Sequence, residues 1–189
     1  MNAFFILAHA GHHHLEPSEV IRWWSWEPVT IALLAISAIL YIVGCARIWH
    51  SIRKWQAIAF AAGWVALVIA LLSPLDTLGG ILFSAHMAQH EMLMIVAAPL
   101  LVIGRPLIAF LWALPMTWRT RVGHWAQSAP IAPAWHFITG PLVVTVLHAI
   151  ALWIWHLPSW YQATLRNDFI HGVQHSSFLF TAEIGRAHV

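Results

Sequence analysis

Hydrophobic positions are gathered into long blocks with little polar interruption, and block length is what first separates the elements. Apolar residues run from about Pro28 to Ala46, Trp55 to Leu72, Leu78 to Ile103 and His136 to Leu157. A helix needs about 20 residues to cross the hydrocarbon core of a bilayer, so each block predicts a membrane span. Arg22-Trp23-Trp24-Ser25-Trp26-Glu27-Pro28 has the aromatic density of a membrane interface, and Pro28 suits the first turn of the helix that follows.

The intervening stretches predict shorter features. Ser73-Pro74-Leu75-Asp76 reads as a turn, Pro99 as a kink in the last turns of the third span, and Gly104-Arg105-Pro106 as its end. Leu107 to Leu114 is too short to cross and predicts an interfacial or half-inserted helix. Pro115 to Pro133, with Arg119, Arg121, His124 and Pro130, reads as a loop at the membrane surface. Pro158 to Tyr161 is again interfacial, and a fifth segment opens near Asp168. That segment loses its apolar character at Glu183, after about 15 residues and short of a full span. The closing Glu183-Ile184-Gly185-Arg186-Ala187-His188-Val189 back-translates to a common sequencing-adapter string, which predicts a non-native tail on a C-terminally truncated bundle. The division is a His-rich leader over 1–27, a transmembrane bundle over 28–182 and the tail over 183–189.

Composition agrees with that solvent. The chain is 60% hydrophobic and 8% charged, with 13 tryptophans in 189 residues, where soluble domains carry about 25% charged residues. The fold class is therefore all-α, a polytopic helical bundle in a lipid bilayer. A net charge of +2 from 9 basic and 7 acidic residues is too slight to suggest nucleic acid. The placement of charge is more informative. Arg47, Arg53, Lys54, Arg105, Arg119 and Arg121 fall in the loops after the first and third spans, whereas Arg22 and Arg166 fall on the other side. Positive residues gather in cytoplasmic loops, so the N-terminus is expected outside. Cys45 stands alone, excluding an intrachain disulfide and a cysteine-based metal site.

Candidate chemistry lies inside the third span, in Ser84-Ala85-His86-Met87-Ala88-Gln89-His90-Glu91-Met92-Leu93-Met94. An ionisable side chain at the centre of a membrane helix costs roughly 2.5 to 3.5 kcal/mol, so these groups should face protein or a wet cavity. His86 and His90 are four apart, on one helical face. At about 1.5 Å per residue they lie about 12 and 18 Å below the start of a span beginning at Leu78. His148 and His156 occupy one stripe of the fourth span, and His171 and His175 repeat the four-residue spacing in the fifth segment. Six histidines from three helices thus point to a metal or haem site, although any single membrane histidine has a structural reading as a packed, hydrogen-bonded bundle residue. His50, His124 and His136 read as interfacial, and His9 with His12 to His14 as a metal-catching or simply polar leader. Imidazole suits zinc, copper, iron and nickel, and thioether sulfur favours monovalent copper. Met87, Met92 and Met94 tilt the choice modestly toward copper; paired imidazoles on haem iron are the alternative. Glu91 fits an imidazole partner, a proton-relay group or a neutral hydrogen-bonded acid. No nucleophile elbow, phosphate loop or dinucleotide fingerprint occurs, so the reading is non-enzymatic.

His86 to Met94, followed by Ala98-Pro99-Leu100-Leu101 and Gly104-Arg105-Pro106, resembles the signature of the multi-span CtaG family of cytochrome c oxidase assembly factors. Trp155-His156-Leu157-Pro158 with Tyr161, then His171 and His175-Ser176-Ser177-Phe178, is similar to that family's second block, and Leu72-Ser73-Pro74-Leu75-Asp76 to its outer turn. The resemblance covers about Trp55 to Ala182. It implies a multi-pass plasma-membrane bundle of about seven helices, each closing its own backbone hydrogen bonds, that is required to build haem-copper oxidases. It also implies copper delivery to oxidase subunits, with His86, His90, His156, His171 and His175 as motif positions. His148 joins them by helical phase alone. A scaffold that grips an oxidase subunit without metal is the further alternative.

Overall fold

The computed structural model describes residues 24–48, 51–129 and 131–186, with the side chains of Gly185 and Arg186 left aside. Every regular element among them is a helix. The first helix, α1 (Pro28–Arg47), starts where expected: Pro28 fills the first turn and the Glu27 carboxylate accepts from the Thr30 amide at 2.7 Å. Helix α2 (Lys54–Leu72) returns antiparallel to it. Trp64 Nε1 donates to Leu34 O at 3.1 Å, and Tyr41 stacks on Phe60 with ring centroids 3.6 Å apart.

Ser73 ends α2 and, through its Oγ, accepts from Leu75 N, which starts the short α3 (Pro74–Gly79). The third span is composite: α4 (Phe83–Glu91), a π-helical segment (Met92–Ala97) and α5 (Ala98–Gly104). Pro99 was expected to kink the last turns. The ladder widens just ahead of it, Ala98 N donating to Leu93 O five residues back. Proline lacks an N–H and its ring would strike the carbonyl four residues earlier, and a π segment is one way a helix absorbs such a break. Arg105, at φ 50° and ψ 52°, ends α5 in the left-handed region.

The half-inserted segment is α6 (Pro106–Ala113), laid parallel against α1. Tyr41 OH donates to Gly104 O at 2.9 Å, and Arg47 Nη1 donates to the carbonyls of Trp112, Ala113 and Leu114 at 3.1, 2.9 and 3.0 Å. The stretch expected as a surface loop is instead helical: α7 (Met116–Gln127) and the beginning of α8 (Ile131–Ile138) occupy it. Two of its prolines sit where helices tolerate them, Pro115 as N-cap of α7 and Pro133 in the first turn of α8. The fourth span also differs. A single helix from His136 was expected, but the chain bends by 66° between α8 and α9 (Pro141–Trp155). Gly140, just before Pro141, is held at ψ 138° because the proline ring disfavours helical geometry in the residue ahead of it. Helices α10 (Pro158–Thr164) and α11 (Asp168–Arg186) complete the described chain.

Three helical stretches are long and apolar enough to cross a membrane, Pro28–Arg47, Lys54–Leu72 and Phe83–Gly104, with a fourth if α8 and α9 count as one broken span. Helix α11, the expected fifth, has the length but is not among them, and it continues through Glu183 to Arg186. The core lies between α1, α2, the π segment with α5, and α6, where Leu34, Phe60, Leu67, Leu93, Leu101 and Ala109 are buried; Cys45 packs half-buried against it. Small residues bring the backbones together there: a Cβ on Gly44 would lie 1.9 Å from Ala109 O, and one on Gly104 would lie 2.6 Å from Phe60 Cβ.

These contacts orient the bundle. Phe60 meets Gly104 and Ala70 meets Gln89, so α2 runs antiparallel to α4 and α5. Arg47, Arg53, Lys54 and Arg105 consequently share one end, and His86 shares the other with Asp76 and the start of α1, where Ser25 N donates to Leu72 O at 2.9 Å. Because the third span begins at Phe83 rather than Leu78, His86 and His90 lie only about 4.5 and about 10 Å beyond its start. They are nearer that surface than the sequence had placed them.

Candidate metal centre

Helix α4 buries His86 and His90 almost completely, one turn apart, with ring centroids 4.3 Å from each other. Helix α11 supplies His171 and His175 in the same way, at 4.1 Å. Across the interface His86 stacks on His171 at 5.4 Å and His90 meets His175 at 5.2 Å. Earlier pairs with earlier and later with later, so α4 and α11 run parallel. The intervening α9 runs antiparallel to α11, as His148 against Thr181 and Trp155 against Ser177 show. Four imidazoles form a closed ring of contacts. Tyr161 closes one side, its ring edge-on to His86 at 5.4 Å, and Phe178 the other, at 4.7 Å from His90. Partial burial of Tyr161 raises its phenol above the ordinary value, which keeps the hydroxyl protonated.

One ligand nitrogen from each of His86, His90 and His171 lies within 4.8 Å of the other two. Small side-chain rotations would bring them onto one ion at the usual distance of about 2.0 to 2.1 Å. The hydrogen-bond inventory agrees with this donor set. Buried polar side-chain atoms are nearly always paired. Among the described residues, the buried side-chain nitrogens and oxygens lacking a partner are both ring nitrogens of His86 and of His90, Nε2 of His171 and of His175, and Oε1 of Gln89 and of Gln174. Six of these eight atoms are imidazole nitrogens of this one ring, so the residues present fit a metal ion.

The two remaining predicted ligands stand outside this ring of contacts. His148 places Nδ1 2.8 Å from Thr181 Oγ1, joining α9 to α11. His156 caps α9 in an exposed position, its Nδ1 2.6 Å from Leu152 O. Glu91 is exposed, Met92 packs against the hydrophobic core, and His124 and His136 are exposed on α7 and α8. His9, His12 to His14 and His50 lie outside the described residues. The sequence reading passed over the glutamines. The signal was present: His86-Met87-Ala88-Gln89-His90 and His171-Gly172-Val173-Gln174-His175 are the same pattern, H-x-x-Q-H, written twice.

Fold and site together define an all-helical membrane protein with an imidazole cluster near one end of its bundle. The model of the cytochrome c oxidase caa3 assembly factor family (Caa3_CtaG) matches residues 39–184, and the chain belongs to that family. It is 28% identical over 154 residues to an uncharacterized protein of Mycobacterium leprae, covering 71% of this chain and 23% of that protein. Uncharacterized proteins of Mycobacterium bovis and Mycobacterium tuberculosis are each 26% identical over 168 residues, covering 86% of this chain and 25% of theirs. The chain thus spans about a quarter of the length of these curated relatives. No solved structure matches it.

Proposed function

We propose that this chain supports cytochrome c oxidase assembly by holding a copper ion on His86, His90 and His171, with His175 completing the ring, and passing it to an oxidase subunit. The observation that carries the reading is the set of six buried imidazole nitrogens without partners, drawn from four histidines on two helices. Burying polar groups unpaired costs free energy, and a cation that takes their lone pairs offsets that cost. The rings already touch, with centroids 4.1 to 5.4 Å apart, which favours a single ion over a haem placed between them.

An all-imidazole site near a bundle end suits exchange. The basic residues at the opposite end favour a cytoplasmic position there, which turns the histidines, and with them the N-terminus, to the outer face of the plasma membrane. His156 stands at the exposed rim. Its Nδ1 donates to Leu152 O, which leaves Nε2 with the lone pair, so it serves as an exchange ligand in the handover; His148 holds α9 to α11. A metal-free scaffold for oxidase subunits is the competing account of the same family membership.

The test is metal content and optical spectrum of the purified protein, alongside oxidase maturation in cells. Copper without a haem Soret band in the wild type, lost in the His86→Ala, His90→Ala double variant together with oxidase activity, is the expected result. A metal-free wild type after copper-replete growth, or a double variant with normal oxidase, would overturn the copper reading.

A further inference from the structure

The two H-x-x-Q-H pentapeptides place a glutamine beside each histidine pair, and the glutamines are held differently. Gln89 turns toward α2 and α3, its Nε2 donating to Ala70 O at 2.7 Å and to Asp76 Oδ1 at 2.8 Å. Its Oε1 lies against Gly79, where a Cβ would come within 3.0 Å. Gln174 turns the other way, toward α4. It is 1% exposed, one turn ahead of Phe178 and next to His175, whose rings pack 4.7 and 5.2 Å from His90. By helical period it shares the α11 face of His171, His175 and Phe178, whose rings contact His86 or His90. Gln174 Oε1 has no donor, and neither ring nitrogen of His90 has a partner.

We infer that Gln174 is the positioning residue of the centre: its Oε1 accepts the N–H of the His90 nitrogen that does not bind the metal. The inference rests on the proposed metal site. A neutral imidazole carries one N–H and one lone pair. A liganding nitrogen must present the lone pair, so the proton sits on the other nitrogen, inside the protein, where it needs an acceptor. Gln174 Oε1 is a buried acceptor in want of a donor, and the pairing satisfies both groups while turning the His90 lone pair to the ion. The choice of amide matters. A carboxylate in that place would draw on the ring proton and make the imidazole a stronger ligand, whereas an amide orients the ring and leaves its basicity closer to that of free imidazole. That suits a site that must give up its ion.

The experiment uses the whole chain in detergent loaded with Cu²⁺, with affinity measured against a competing chelator and the remote ring nitrogens read by electron spin echo envelope modulation. Gln174→Leu should weaken copper by about 10- to 100-fold and shift the remote-nitrogen couplings of one imidazole. Gln174→Glu should restore wild-type affinity or exceed it, because a carboxylate also accepts the N–H. Wild-type affinity and an unchanged remote-nitrogen spectrum in Gln174→Leu would overturn the inference and leave the metal site standing. Copper showing no imidazole coupling in the wild type would overturn the metal site itself. Should Gln174→Leu fail to fold, Gln174→Glu decides alone: a shifted spectrum supports the role, and an unchanged one overturns it.

Discussion

Replacing His90 with leucine should stabilise the metal-free protein, against the usual result of altering a buried residue. His90 is 2% exposed, its ring packed between His86, His175 and Phe178, with neither nitrogen hydrogen-bonded. A buried polar group left without a partner costs about 1 to 3 kcal/mol. Leucine fills the same space against Phe178 and carries no such cost, so the chelated His90→Leu protein should be more stable by about 1 to 3 kcal/mol. Copper reverses the order. At free copper 1,000 times the dissociation constant, binding adds about 4.1 kcal/mol to the wild type and little to a variant short of a ligand. Unfolding in detergent, followed by tryptophan emission with chelator and then with copper, reads both signs in one preparation. A His90→Leu protein less stable than wild type under chelation would refute the reasoning, since it would mean that His90 already has a partner, Gln174 Oε1 included, before any metal binds.

Two further outcomes test contacts that hold the helices together. His148→Ala should cost about 0.5 to 1.5 kcal/mol through loss of the Thr181 contact while copper stoichiometry stays at the wild-type value; copper lost in this variant would put His148 in the ligand set. Gly44→Ala should destabilise by about 1 to 3 kcal/mol, because the added Cβ meets the Ala109 backbone at 1.9 Å. The control is Gly123→Ala, where nothing lies within 4 Å; equal stability of the two alanine variants would contradict the close α1–α6 contact.

The i, i+4 histidine pairs were legible because helical period alone puts such residues on one face. Their mutual contact was not, since it requires α4 and α11 to be neighbours and parallel. His148 shows the limit of helical phase: its stripe aims it at α11, but the partner it meets is Thr181. The loop expected from Pro115 to Pro133 failed for a related reason. Prolines punctuate a sequence equally well whether they break helices or begin them, and here Pro115 and Pro133 stand at helix starts. The glutamines left a signal only as a pair, in the repeated H-x-x-Q-H pattern; what each one does appears only once its oxygen is seen buried without a donor.

What the sequence determined by itself was the solvent, the helical class, the start of α1, both ends of α2, the close but not the start of the third span, and the histidine spacing. All follow from local hydropathy, from proline chemistry and from the 3.6-residue period, which need no neighbour to act. Tertiary structure decided the rest: the π segment ahead of Pro99, the bend at Gly140, the depth of the cluster and the choice of four histidines from six. These depend on which helices pack together and in which direction. That outcome rests on close backbone contacts such as Gly44 on Ala109 and Gly104 on Phe60, and residues far apart in the chain make such contacts only once it has folded.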